Sequence, residues 1–322
     1  MTPIPFVHLD DPRYGSSVPL SPLVRRVVAN NPSKFTYLGT GTYIVGQGDV
    51  AVIDPGPRLD THRQALLDAL HGEQVVAVLV THCHADHSPL ATWLGDQFDA
   101  PTVGIGPHRS LGELWPNEAW PRFPVPDEAP TTDADVTIEE SVDTAFCPEV
   151  AVTDGEVAAH GAGWTLTTVA TPGHASNHAC YALAEERALF TGDHVMGWST
   201  TVISPPDGDM KAYLASLDAV RGRGDAVLYP THGAPVTEPG PFLDAYRAHR
   251  LEREAQVLAA IRGGLSMLAE IVPVLYADVR PALHAPAARS VMAHVLKLID
   301  DGAVRVDGDA PAHPLAHFAP AP

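Results

Sequence analysis

An α/β fold followed by a small helical domain is what this 322-residue sequence predicts, and three patterns carry the prediction. Four short apolar runs each end in a turn that bears histidine or aspartate, stretches with apolar residues at helical spacing lie between such runs, and beyond Pro241 the strand-like runs give way to helices and one short hairpin. Turns at strand ends are where open α/β layers place their chemistry.

The elements follow in order. Residues 1–34 read as an N-terminal extension packed on an α/β domain over residues 35–240. Val50 to Ile53 form a short strand closed by Asp54 before Pro55-Gly56-Pro57, and Leu59, Leu66, Leu67 and Leu70 share one helical face that ends at Gly72. Val75 to Val80 have the length and composition of a buried strand. Directly after it, Thr81-His82-Cys83-His84-Ala85-Asp86-His87 puts four potential metal ligands within six residues. Ser88 and Pro89 have the character of an N-cap and a first helical position, with Leu90, Leu94 and Phe98 along one side of the helix. Cys83 alternates with His82 and His84, so it is expected to point away from the ligands as a small packed residue.

Three further segments repeat that form. Trp164 to Ala170 lead into Thr171-Pro172-Gly173-His174, Ala188 to Phe190 into Thr191-Gly192-Asp193, and Ala226 to Tyr229 into Pro230-Thr231-His232-Gly233. The loop after Asp193 must pass near the ligands, which makes Trp198, Ser199 and Thr200 candidates either for substrate contact or for loop packing. Met210, Tyr213, Leu214, Leu217 and Val220 then line a helix that Asp209 can cap.

Residues 106–156 interrupt this order. Trp115, Trp120 and Phe123 stand in their first part, and residues 127–156 hold ten acids with no lysine or arginine. The segment reads as a solvated excursion or, because aromatic side chains are costly to leave in water, as a lid or an oligomer contact. After Pro241, helices are expected over Phe242 to Arg262, Ser266 to Leu275, and Pro286 to Asp300, followed by a Val304-Arg305-Val306 strand that turns at Asp307-Gly308. Residues 241–322 thus suggest a winged-helix-like domain, with a loose tail from Ala310 to Pro322.

Composition bounds the function. The hydrophobic share of 45% supports a full core. Cysteines at 83, 147 and 180 make no disulfide framework. The first residues lack a basic region followed by an apolar one, and no apolar run reaches the ~18 residues of a membrane span. A cytoplasmic protein is the expectation. The net charge of −19 and a C-terminal part with eight basic against nine acidic side chains disfavour binding to a polyanion, since phosphate contacts need a basic surface.

On the motifs between Phe35 and Val236 the chain resembles the metallo-β-lactamase-fold hydrolases. The resemblance implies a four-layer αββα sandwich, with His82, His84 and His174 around one metal ion, Asp86, His87 and His232 around a second, Asp193 bridging them and Asp54 behind. Imidazole and carboxylate donors without a thiolate suit zinc, with manganese or iron as alternatives. Two such ions would supply a metal-bridging hydroxide at neutral pH, with Asp86 accepting or relaying its proton. A bridging Asp193 departs from the zinc lactamases of the superfamily. The C-terminal pattern, with Leu189 to Gly197 and Tyr229 to Gly233, resembles the lactamase-beta-like protein 2 subfamily, which includes an endoribonuclease. The expected function is a dinuclear hydrolase acting on a small ester, lactone, thioester or phosphodiester, with a homodimer left open. The alternative is an endoribonuclease or a nucleic-acid-binding regulatory protein.

Overall fold

The computed structural model describes residues 2–108, 115, 119–124, 141–308 and 311–322. Its first sheet follows chain order: β1 (Val18–Pro19), β2 (Val24–Val28), β3 (Gly41–Gln47), β4 (Asp49–Ile53), β5 (Gln74–Leu79), β6 (Thr102–Gly104) and β7 (Val150–Ala151). The β1–β4 pairings are antiparallel and those from β4 to β7 are parallel. Helices α1 (Asp60–Ala69) and α2 (Ala91–Phe98) make the first two parallel crossovers. The second sheet has the order β12 (Val227–Pro230), β11 (Ala188–Gly192), β10 (Ala179–Leu183), β9 (Trp164–Ala170) and β8 (Val157–Gly161). Here only β11 and β12 run parallel, across α3 (Met210–Arg223).

The two sheets pack face to face. Tyr43, Val45, Ile53 and Leu79 from the first meet Trp164, Leu166, Tyr181 and Phe190 from the second. Leu66, Leu70, Leu90 and Leu94 cover the first sheet's outer face over Val50, Val52 and Val78. Tyr213 and Leu217 of α3, with Phe242 and Tyr246 of α4 (Pro239–Arg262), cover the second over Ala182, Leu189 and Leu228. The expected αββα sandwich is present.

Several predicted helix starts shift, by two or three residues each. Helix α2 begins at Ala91 with Leu90 at its N-cap, so Ser88 and Pro89 lie in the preceding turn. The Ser88 hydroxyl donates to Asp143 Oδ2 at 3.0 Å and is therefore committed elsewhere. In the C-terminal part, α5 spans Leu268–Leu275 and α6 spans His284–Asp300, which puts Pro286 at the third residue of α6 rather than at its first. A proline in the first turn has no N–H to lose there, so α6 carries it without a break.

The tail is not loose. β14 (Phe318–Pro320) pairs antiparallel with β13 (Val304–Val306). Phe318 is 2% exposed in a second core with Val257, Ile261, Leu268, Val272, Val291 and Val295. The tail's Ala/Pro/His composition concealed this anchor. Replacing Phe318 with Ala is expected to cost about 3–5 kcal/mol, read from the denaturant midpoint; a midpoint within experimental error of the parent would restore the loose tail.

Trp120 is 9% exposed and joins that same core, with Trp115 and Phe123 packed against it. The solvated reading therefore does not hold for these aromatics. The acids from Asp127 to Glu140 lie outside the described residues. On its return the segment pairs with the ligand loop, Ala85 N–H donating to Ser141 C=O at 2.9 Å and Asp143 N–H to Cys83 C=O at 2.7 Å.

Candidate metal centre

The β5–α2 turn delivers His82, His84, Asp86 and His87; the turn after β9 delivers His174; those after β11 and β12 deliver Asp193 and His232. A glycine makes the second turn feasible: Gly173 has φ +142°, and a Cβ there would stand 2.4 Å from Tyr213 Cα. The seven side chains converge. His84 Nδ1 lies 3.1 Å from His174 Nε2, and the His82 ring centroid is 4.5 Å from His84 and 4.9 Å from His174. His232 Nε2 stands 3.2 Å from Asp86 Oδ2 and 3.4 Å from Asp193 Oδ1. His87 Nε2 is 3.3 Å from Asp86 Oδ2 and 3.6 Å from Asp193 Oδ1, while the other Asp193 oxygen lies 3.8 Å from His174 Nε2.

These donors fit divalent cations. His82 Nε2, His87 Nε2 and Asp193 Oδ1 are buried without a hydrogen-bond partner, an expensive arrangement unless something charged completes it. His82, His84 and His174 form one group able to hold an ion, and Asp86, His87 and His232 form another; Asp193 joins His82 and His87 in a third between them. All the donors are imidazole or carboxylate, the set suited to zinc, manganese or iron.

The electrostatics divide the same way. Burial, reinforced by the neighbouring imidazoles, pushes His82 well below the ordinary histidine range and His84 down to about 3. Burial also opposes charge on His87 and His232, yet the surrounding carboxylates outweigh it: His87 is held well above its usual value and His232 is lifted to about 10. Burial likewise disfavours ionised Asp86 and Asp193, but His87 and His232 keep both carboxyls below the usual range.

Surrounding groups fix each ring. Asp54, fully buried with φ +51°, accepts from Thr81 N–H and its hydroxyl, both at 2.8 Å, and from Thr231 Oγ1 at 3.1 Å. Its Oδ2 also takes His87 Nδ1 at 2.9 Å, which leaves Nε2 facing the cluster. Asp54 thus hydrogen-bonds His87 from the side away from the cluster. His174 Nδ1 donates to Val202 C=O at 2.7 Å, and the Thr40 hydroxyl donates to Asp86 Oδ2 at 2.9 Å. Cys83 is 1% exposed among apolar residues, and burial raises its thiol to about 11.

Trp198, Ser199 and Thr200 line a cavity of about 330 Å³ together with His84, His174 and Asp193. Their loop is held from below, which sequence reasoning missed. Tyr246 Oη accepts from Thr201 N–H at 3.1 Å and donates to Ser199 C=O at 2.6 Å. Arg250, 3% exposed, donates to Thr201 C=O. Thr201 Oγ1 in turn donates to the Asp193 carbonyl at 2.9 Å. No local pattern marks Tyr246, Arg250 or Thr40 for these roles, because their partners lie 45, 49 and 46 residues away.

Residues 37–232 match the metallo-beta-lactamase superfamily. The chain belongs to that superfamily. Residues 268–312 match the beta-lactamase associated winged helix domain. An atrochrysone carboxyl ACP thioesterase of Aspergillus chevalieri is 33% identical over 246 residues, covering 76% of this chain and 67% of its own. A beta-lactamase-like protein 2 homolog of Caenorhabditis elegans is 30% identical over 292 residues, covering 88% and 87%. A beta-lactamase domain protein from Burkholderia ambifaria superposes with a TM-score of 0.72 at 22% identity over 98% of this chain and 97% of that one, a likeness of fold. With named thioesterases among its relatives, this superfamily member is a hydrolase.

Proposed function

We propose that the protein is a dinuclear metal-dependent hydrolase of small thioesters and related esters. The convergence of seven imidazole and carboxylate donors, with buried unpartnered atoms among them, on the floor of a cavity carries the reading. His82, His84 and His174 would hold one ion, Asp86, His87 and His232 the other, and Asp193 both. When bound, two such ions acidify a shared water and polarise the substrate carbonyl. Asp54 keeps His87 in the tautomer that presents Nε2, and Val202 does the same for His174. Asp86, oriented by Thr40, takes up the proton released as the acyl carbon is attacked. Trp198 and Met196, which line the cavity, hold the acyl body and keep bulk water from it. The named ACP thioesterases among the relatives favour thioesters over lactones and phosphodiesters.

The test combines elemental analysis with turnover of a panel of thioesters, lactones, bis-p-nitrophenyl phosphate and single-stranded RNA by zinc-, manganese- and iron-loaded protein. Two ions per chain and thioester turnover are expected; a single ion at saturation would sink the dinuclear reading. Zinc as the native metal, a cytoplasmic location and a homodimer belong to the same proposal, the last to be read by light scattering. Among the described residues, no helix is long and apolar enough to cross a membrane.

The nucleic-acid alternative meets an obstacle in α6, the candidate recognition helix. Lys297 is engaged by Glu254 at 2.9 Å and Asp301 at 2.7 Å, and Arg289 turns toward Ser204 Oγ at 3.1 Å. No sub-micromolar binding of labelled duplex DNA or single-stranded RNA is therefore expected in fluorescence anisotropy at ~50 mM salt, where screening is weak. Tight binding that weakens steeply with added salt would reverse the ranking of the two functions.

A further inference from the structure

The segment that joins β2 to β3 reaches the donor cluster twice. Gly39 C=O lies 3.3 Å from His232 Nδ1, and the Thr40 hydroxyl meets Asp86 Oδ2 at 2.9 Å. The two ends of the segment are drawn together at its base. Ala29 N–H donates to Thr40 C=O at 2.8 Å, and a Cβ at Gly39, where φ is +129°, would stand 2.1 Å from Ala29 O. Asn31 closes the same base with its side chain: Oδ1 accepts Thr40 N–H at 2.9 Å, and Nδ2 donates to Thr40 Oγ1 at 2.9 Å. The metal chemistry described above makes no use of this amide.

The direction of each bond is forced. A backbone N–H can only donate, so the Asn31 atom facing Thr40 N is the oxygen, and the atom facing Thr40 Oγ1 is the NH2 group. An NH2 group in turn can only donate. Thr40 Oγ1 therefore accepts from Asn31, and its single proton is left for Asp86 Oδ2, which as an ionised carboxylate oxygen only accepts. A hydroxyl in water turns freely. Thr40 is 0% exposed, and if its hydroxyl turned here, the carboxylate would face a lone pair in a buried site, where such a contact is costly.

We propose that Asn31 is a positioning residue for the metal centre: by donating to Thr40 it commits the Thr40 proton to Asp86, and so holds that carboxylate in place for the ion shared with His87 and His232. The proposal rests on the reading of Asp86 as a metal ligand given above; the direction of the hydrogen bonds does not. Asn31→Asp reverses the device at constant size. The carboxylate still accepts Thr40 N–H, but it replaces the NH2 donor with an acceptor, so the Thr40 proton turns back to residue 31 and Asp86 loses it.

The experiment is a double-mutant cycle of Asn31→Asp and Thr40→Val, read by zinc titration of chelator-stripped protein against a chromophoric chelator and by the visible spectrum of the cobalt(II)-loaded form. Each single variant should weaken one of the two ions by about 10–100-fold, the usual effect of losing a group that orients a ligand, and leave the other unchanged. The double variant should bind no more weakly than Thr40→Val alone, because without the hydroxyl there is nothing for Asn31 to direct. Thr40→Ser, which keeps the hydroxyl, should restore both the affinity and the cobalt spectrum. Additive losses, or an Asn31→Asp protein with parental zinc affinity, would overturn the proposal, and so would a lowered unfolding midpoint with both affinities intact, which makes Asn31 a loop clamp and nothing more. Should Asn31→Asp fail to fold, Asn31→Ala frees the hydroxyl instead of reversing it and must show the same non-additivity with a smaller loss. If wild type binds a single ion at saturation, the dinuclear reading fails, and the cycle is read on that ion: non-additivity supports the role of Asn31 and additivity refutes it.

Discussion

Asp193→Ala protein is expected to retain its fold, to bind about one metal ion where the parent binds two, and to lose activity. Among the described residues, Asp193 is the one carboxylate whose two oxygens face both donor groups, Oδ1 toward His87 and His232 and Oδ2 toward His174. Removing a group outside the ligand shell typically costs 10–100-fold in metal affinity or activity, so loss of this one should exceed about a hundredfold in kcat/KM. The comparison with Asp193→Asn separates charge from shape, since the amide keeps the volume and loses the negative charge that lifts His87 and His232 above the usual histidine range. Full metal content with parental turnover in the alanine variant would remove Asp193 from the site.

The second large effect lies behind the ligands. Asp54 is fully buried and accepts from four groups on three residues: Thr81 N–H and hydroxyl, His87 Nδ1 and Thr231 Oγ1. Asp54→Ala would leave all of these without their acceptor. Removing one partner of a buried charged pair costs about 3–5 kcal/mol, and loss of the carboxylate that orients a ligand histidine costs about 10–100-fold in metal affinity. Both losses should appear together, as a lowered unfolding midpoint and a weakened zinc titration. If the midpoint falls and zinc binding does not, Asp54 serves the fold alone. Its left-handed backbone, φ +51°, is tolerable at a non-glycine position because these same contacts hold it.

The ligand turns were legible because each one follows its own short strand. Apolar runs marked β5, β9, β11 and β12, and the chemistry began where each run stopped. Features that depend on distant partners were not. Ser88 has the composition of a helix cap, but Asp143, 55 residues on, takes its hydroxyl. Ala310 to Pro322 looked structureless because one phenylalanine among small residues gives no periodicity, although Phe318 fills a core. Trp115 and Trp120 announced that something covers them; only the fold shows that the covering is α6 and its Arg289.

Helix α4 deserves a mechanical reading. It runs unbroken over Pro239–Arg262, about 36 Å at 1.5 Å per residue. Phe242 and Tyr246 near its start are built into the sandwich, while Val257 and Ile261 near its end are built into the C-terminal core. The expected boundary at residues 240–241 falls inside this beam, not in a hinge. No cut through it leaves both ends seated, and a thermal or mechanical load on one end is carried to the other, past Tyr246 and Arg250, which grip the loop after Asp193. The C-terminal part is therefore joined, through the one helix that enters both cores, to the loop that walls the cavity.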